Sequence, residues 1–384
     1  MQPFRIPTRV VIEPGASSRV AESLSACGVK PGSSVLLVLD RGLAETPWAE
    51  KVAQQIIAAG FSVHRFDGVE NNPRVPTVEA LAENAREEGV QGVVGLGGGS
   101  VLDAAKAVAM LAVNGGRCED YEGAGRFDEK PLPFVALPTT CGTGSEVTWV
   151  SVLTVRERRT KISIKGDGMF PDFALVDSDL LTTLPPQLVA WTGLDALTHA
   201  LEARTVTLAN PISDALATRA IEMLFRYLPR AVEDIAGDRE ARDAVMTAST
   251  LAGMAFGNAD VGAVHCLSET LGGLWDVHHG LANAILLAPV LRAHGKAVQG
   301  PLASLAGLVE GGGDLAHPGA RAEHFLTALD ALVVELKVPT FSSLELDSEG
   351  YQEIAERAVT NGSNSSNPRP MGKRDYLEIL RSLV

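Results

Sequence analysis

Asp195 and His199 stand four residues apart in the run Gly193-Leu194-Asp195-Ala196-Leu197-Thr198-His199-Ala200. On a helix that spacing puts both side chains on one face, where a carboxylate oxygen and an imidazole nitrogen can reach one ion. His265 opens another helical stretch, and His279 follows the turn after Trp275, just before Gly280. Three imidazoles and one carboxylate suit a divalent transition ion, either iron or zinc. The residues around them are Ala, Leu, Val and Gly, and an unpaired Asp or His is costly on so apolar a helix face. The pattern points to a metal centre.

A second chemistry lies in Gly97-Gly98-Gly99-Ser100, between a strand-like run and a helical one. Glycines there let a backbone approach a pyrophosphate, while the helix N-terminus supplies free N–H groups and a positive dipole end. Ser100, with Asp103 three residues on, also reads as a capping box. The polar cluster at 138–148, which holds Thr139, Thr140 and Thr143, follows the next strand. It can line the same cleft or form an ordinary loop. Asp40 closes the first strand, where a carboxylate can accept hydrogen bonds from an adenosine ribose and repel a 2′-phosphate; NAD is expected over NADP.

These groups need a frame. Residues 35–40, 62–66, 92–96 and 134–138 read as short buried strands, and 48–60, 77–89 and 101–113 as helices between them. Strand and helix in alternation imply an α/β domain with a doubly wound, mainly parallel sheet and ligands at the carboxyl ends of its strands. Beyond residue 186 the pattern turns helical, at 188–204, 211–235, 239–257 and 264–275. The expectation is an N-terminal dinucleotide-binding domain over 1–182 and an all-helical metal and substrate domain over 183–384, with a cleft between. Leu184-Pro185-Pro186 punctuates the boundary. Residues 310–318 and 361–372, rich in Gly, Ser, Asn and Pro, read as loops.

Composition narrows the partners. A net charge of −14 argues against nucleic acid and anionic membranes, which need a basic face. The most apolar stretch, 92–113, is interrupted by Asp103 and Lys106 and is a poor membrane span. Residues 1–11 lack a basic segment leading into an apolar run, so a cytoplasmic protein is expected. Cys27, Cys118, Cys141 and Cys266 have neither zinc-ribbon spacing nor disulfide-scaffold density, and free thiols follow.

The motifs resemble those of the iron-containing (group III) alcohol dehydrogenases, relatives of glycerol dehydrogenase and dehydroquinate synthase. The likeness runs from Asn72-Pro73 through 97–106 and 138–148 to 171–177, 192–202, 279–284 and 367–370. The resemblance implies a dimer that passes a hydride between NAD and a small alcohol, aldehyde or ketone. By the same likeness Asp195, His199, His265 and His279 hold the metal, iron more readily than zinc. Gly97, Gly98, Gly99, Ser100 and Asp103 belong to the cofactor stretch, Thr139, Thr140 and Thr143 flank the nicotinamide, and Asp40 and Lys161 meet the riboses. Two positions depart from the family. Glu269 stands where many relatives have a second histidine after the third ligand, and His278 stands where they have proline. Both are candidates for altered proton handling. Glu269 can receive the alcohol proton, orient His265, or pair with a cation facing away. A dehydroquinate-synthase-like lyase would need a basic pocket, and no Lys and Arg cluster adjoins the ligand motifs. A metal-free maleylacetate-type reductase is opposed by the intact ligand set. A non-catalytic cofactor-binding module is the third alternative.

Overall fold

The computed structural model describes residues 3–346 and 350–383. Its strands are β1 (Arg9–Ile12), β2 (Ser34–Asp40), β3 (Ser62–Val69), β4 (Val90–Gly97), β5 (Gly123–Ala124), β6 (Phe134–Pro138), β7 (Val150–Val155), β8 (Thr160–Lys165) and β9 (Phe173–Val176). The helices of this half are α1 (Val20–Ala26), α2 (Arg41–Ala44), α3 (Pro47–Ala58), α4 (Val75–Glu87) and α5 (Gly99–Asn114). The other half holds α6 (Pro186–Thr205), α7 (Pro211–Glu233), α8 (Arg239–Phe256), α9 (Ala263–Trp275), α10 (His279–His294), α11 (Lys296–Leu305), α12 (Pro318–Glu335), α13 (Gly350–Thr360) and α14 (Lys373–Ser382).

Unbroken apolar runs build the main sheet because both of its faces are covered. Along β2, Leu36 and Val38 enter the core under α4 and α5, whereas Val35, Leu37 and Leu39 enter the core under α1 and α3. The strand order is β1-β9-β6-β4-β2-β3, and every pairing is parallel. From β2 the chain goes outward to β3 and returns on the other side as β4. That reversal opens a crevice at the carboxyl ends of β2 and β4, where Asp40 and the glycine turn stand.

A second sheet, β5-β8-β7, is built on the antiparallel hairpin of β7 and β8, with Lys161 opposite Thr154. No strand was expected here. Both strands are short, and their turn is Arg156-Glu157-Arg158-Arg159, so the apolar alternation is brief.

The second half is helical, as expected. α6 is buried from Val189 to Ala203 apart from Trp191, which marks an inner helix rather than an amphipathic surface one. It packs against α7, α8 and α10. The two halves meet in a tight seam. Gly144 has a left-handed φ of 59°, and a Cβ there would lie 2.4 Å from the Gly253 Cα on α8. Beside it Thr250 Oγ1 donates to Glu146 at 2.8 Å, and Trp149 Nε1 donates to the Gly257 carbonyl at 3.0 Å. Farther along the cleft, Asn72 Nδ2 donates to Asp276 Oδ1 at 2.7 Å.

The expected capping box at α5 is corrected by the structure. The helix begins at Gly99, and Ser100 Oγ donates to the Asn71 carbonyl. Asp103 accepts instead from Ser145 Oγ at 2.6 Å and Val152 N at 2.9 Å. Partners 29 residues away for Ser100 and more than 40 away for Asp103 compete successfully for these side chains.

Replacing Gly144 with Ala should destabilise the protein by about 2–4 kcal/mol, from backbone strain plus overpacking. Urea unfolding of the variant against the parent measures this, and a loss below about 1 kcal/mol would show that the seam yields.

Candidate metal and cofactor site

Asp195 and His199 lie one turn apart on α6, and Glu202 follows on the same face. His265 sits in the first turn of α9, and His279 is the first residue of α10. One ligand atom from each of Asp195, His199, His265 and His279 lies within 4.8 Å of the others. The Nε2 atoms of His199 and His265 face each other at 3.0 Å, and His279 Nε2 is 3.7 Å from Asp195 Oδ1. Donors about 2.1 Å from one ion stand roughly 3–4 Å apart, so the spacing fits a single divalent cation.

Protonation favours the same reading. Burial lowers the His199 imidazole to about 4 even though Asp195 acts against it. Burial also takes His279 well below the usual range, helped by Lys161 and the neighbouring imidazoles. Neutral imidazoles are the form that binds metal. His265 differs: burial lowers it, but the charge and hydrogen bond of Glu202 outweigh that and raise it. Glu202 is itself buried, and its carboxyl is held below the ordinary value by His265 and by the backbone N–H groups of Gly262 and Val264.

Glu202 was not singled out from sequence, although it lies seven residues after Asp195 and so on the same helix face. One of its oxygens takes His265 Nδ1, and the other accepts Val264 N at 2.8 Å, closing the start of α9. The His265 proton therefore belongs on Nδ1, and its Nε2 lone pair points into the cage. The orienting role considered for Glu269 is filled by Glu202.

A cavity of about 810 Å³ joins this cage to the cofactor side. Gly99, Ser100, Asp103, Thr143 and Lys161 line it together with His199, His265, His279 and Glu269. The glycine turn and the 138–148 loop touch: a Cβ at Gly99 would meet Thr143 Cγ2 at 2.4 Å. Gly97 ends β4, Gly98 precedes α5 with Thr140 beside it, and Thr139 N donates to the Gly97 carbonyl at 3.0 Å. Asp40 caps α2 through Oδ1, which accepts Leu43 N at 2.9 Å. Burial lowers Lys161, with Glu269, Asp103, Asp276 and Asp195 acting the other way. Phe256 also borders the cavity and stacks on His199 at 4.2 Å between ring centroids.

The two departures from the family pattern part company. Glu269 faces the cavity and accepts Asn361 Nδ2 at 2.6 Å. His278 is not among the residues lining the cavity; its ring lies 5.2 Å from that of Trp191, and burial lowers its pKa.

The loop at 138–148 is pinned from beneath by a lysine with no role assigned from sequence. Lys106, 2% exposed, donates to Ser145 Oγ at 2.8 Å, Thr148 Oγ1 at 3.1 Å and the Val150 carbonyl at 2.8 Å. Asp103 and the buried Glu146 supply the balancing charge, and burial lowers Lys106 to about 8.

Family models for iron-containing alcohol dehydrogenase and for the C-terminal part of the Fe-containing alcohol dehydrogenase family match residues 7–178 and 189–384. The chain is 37% identical over 370 residues to alcohol dehydrogenase 4 of Schizosaccharomyces pombe, covering 95% of this chain and 85% of that protein. It is 33% identical over 385 residues to the NAD-dependent methanol dehydrogenase of Bacillus methanolicus, covering all of both. Among solved structures, a 1,3-propanediol oxidoreductase superposes with a TM-score of 0.96 at 35% identity over the whole of both chains. The chain belongs to the iron-containing alcohol dehydrogenase family. It is an oxidoreductase of CH–OH groups that works with NAD and a divalent metal.

Two measurements check this site. Glu202→Gln should weaken divalent-cation binding about 10- to 100-fold in a chelator competition, because His265 loses the partner that fixes its tautomer; unchanged affinity would remove Glu202 from the site. For Lys106 the folded value of about 8 lies below the unfolded 10.5. Between them the unfolded chain holds more protons, so this residue makes stability rise with pH. Lys106→Met should flatten that part of the urea-midpoint profile.

Proposed function

We propose that the chain interconverts small alcohols and their aldehydes or ketones, using NAD in preference to NADP and Fe(II) in preference to Zn(II). The observation that carries this reading is the convergence of Asp195, His199, His265 and His279 in the cavity that also holds Gly99, Ser100 and Thr143. Asp40 at the end of β2 supports NAD, since its carboxylate disfavours a 2′-phosphate. The family supports iron and a homodimer. A cytoplasmic setting accords with four free cysteines, and among the described residues no helix is long and apolar enough to cross a membrane. We assign residues 1–182 to the cofactor and 183–384 to the metal and substrate.

Asp195, His199, His265 and His279 would hold the cation, which would supply Lewis acidity to the carbon–oxygen bond of the substrate. Gly98, Gly99 and Ser100 give the pyrophosphate a backbone seat at the start of α5. Thr139, Thr140 and Thr143 hold the nicotinamide face, and Lys161 meets its ribose, so the reacting carbon is oriented before the hydride moves. Glu269 accepts the alcohol proton. Asn361 occupies Oε2, and no hydrogen bond to Oε1 is formed among the described residues. His278 stands behind His279 at the head of α10 and contributes by position.

His199→Ala and His279→Ala should each lose metal content and turnover together while NAD binding, followed by fluorescence, is kept. NADH oxidation with small aldehydes by the anaerobically purified protein, with metal analysis of the same sample, completes the test. Full turnover in metal-free protein would overturn the reading.

A further inference from the structure

One face of α9 carries more than a single participant. His265 stands in its first turn, Glu269 one turn on, and Gly272 three residues after that. Residues so spaced are neighbours on a helix. A Cβ at Gly272 would lie 2.9 Å from Lys161 Nζ, so the lysine of β8 rests where that side chain is missing. Glu269 is thereby set between His265 and Lys161, and it borders the cavity. Its Oε2 accepts Asn361 Nδ2 at 2.6 Å, while Oε1 makes no hydrogen bond among the described residues.

The Asn361 amide has one orientation open to it. Its Oδ1 accepts Ser363 N at 2.9 Å, and a backbone N–H can only donate. That contact caps the short helical turn Gly362–Ser366 and leaves Nδ2 as the atom presented to Glu269. The loop behind the amide is fastened to the start of α9 itself. Asp260, in the left-handed region at φ 77°, accepts Ser363 Oγ at 2.9 Å and Ser366 Oγ at 2.5 Å. Asn367 Oδ1 accepts Ala263 N at 2.8 Å. Asn361 and Glu269 therefore ride on one connected piece of structure, and a hydrogen bond to a carboxylate is stronger than one between neutral groups.

We propose that Asn361 is the positioning residue of Glu269: its amide engages Oε2, sets the plane of the carboxylate, and leaves Oε1 as the oxygen that meets the substrate hydroxyl. This rests on the reading of Glu269 as the acceptor of the alcohol proton. A carboxylate free to turn about its side-chain torsions is slower at that task, because the productive orientation is one of several. Asn361 removes that freedom without bringing a second charge to the cavity. The departure from the family on α9 is thus served by a donor 92 residues farther along the chain.

Asn, Asp and Ser cap a helical turn about equally well, so Asn361→Asp and Asn361→Ser keep an acceptor for Ser363 N and remove the amide donor to Glu269. Each should lower kcat for alcohol oxidation about 10- to 100-fold at nearly unchanged KM. Each should also raise the solvent deuterium isotope effect on kcat, while metal content and thermal midpoint stay at wild-type values. Wild-type kcat in either folded variant would overturn the proposal, since that is the result expected of an amide that only caps its loop. A double-mutant cycle gives an independent readout: in an E269A background N361S should cost no further activity, and a fully additive loss there would also overturn it. Wild-type kcat and isotope effect in E269A itself would instead refute the assignment of the alcohol proton to Glu269.

Discussion

Turning one carboxylate and three imidazoles toward a common point inside an apolar helix bundle is unfavourable unless something positive sits between them. That constraint organises the second half of the molecule. Burial strips the imidazoles of water and keeps His199 and His279 neutral, which readies them as ligands and leaves their lone pairs unpaired. α6, α9 and α10 must then be held at fixed separation and rotation, because a side chain shifted by an ångström would no longer share an ion with the others. Glu202 does much of that holding. It joins the last turn of α6 to the start of α9 through one ring nitrogen and one backbone N–H, so the ligand and the helix that carries it are placed by the same carboxylate.

On the cofactor side the structure answers a different requirement, which is close approach. Gly99 and Thr143 leave no space between the two loops, and Lys106 braces the second loop through Ser145 and Thr148 and the start of β7 through the Val150 carbonyl. Placing a lysine ammonium in so dry a place is tolerable because Asp103 and Glu146 lie near it and its donors are all used. The loop gains rigidity where Thr143, Ser145 and Thr148 wall the cavity.

Much of this was readable in advance wherever one short stretch of chain decides the outcome. The pair Asp195 and His199 shares a helix face because of its spacing alone, and residues 35–40 declare a strand covered on both sides by being apolar without alternation. Long-range competition was not readable. Ser100 and Asp103 fit a local capping pattern, yet Asn71, Ser145 and Val152 claim them. The β7–β8 hairpin escaped notice because its charged turn and brief strands dilute the alternation. Glu202 was within reach of the same helical spacing that exposed the ligands, at seven residues from Asp195.

The seam at Gly144 and Gly253 bears on how the molecule can move. The contact is backbone against backbone, and Gly144 is the immediate neighbour of Thr143 on the cavity wall. It is a fixed point of contact at the wall of the cavity. A rotation of one half upon the other about this contact would leave the wall at Thr143 almost in place, because the displacement a rotation produces grows with distance from its axis.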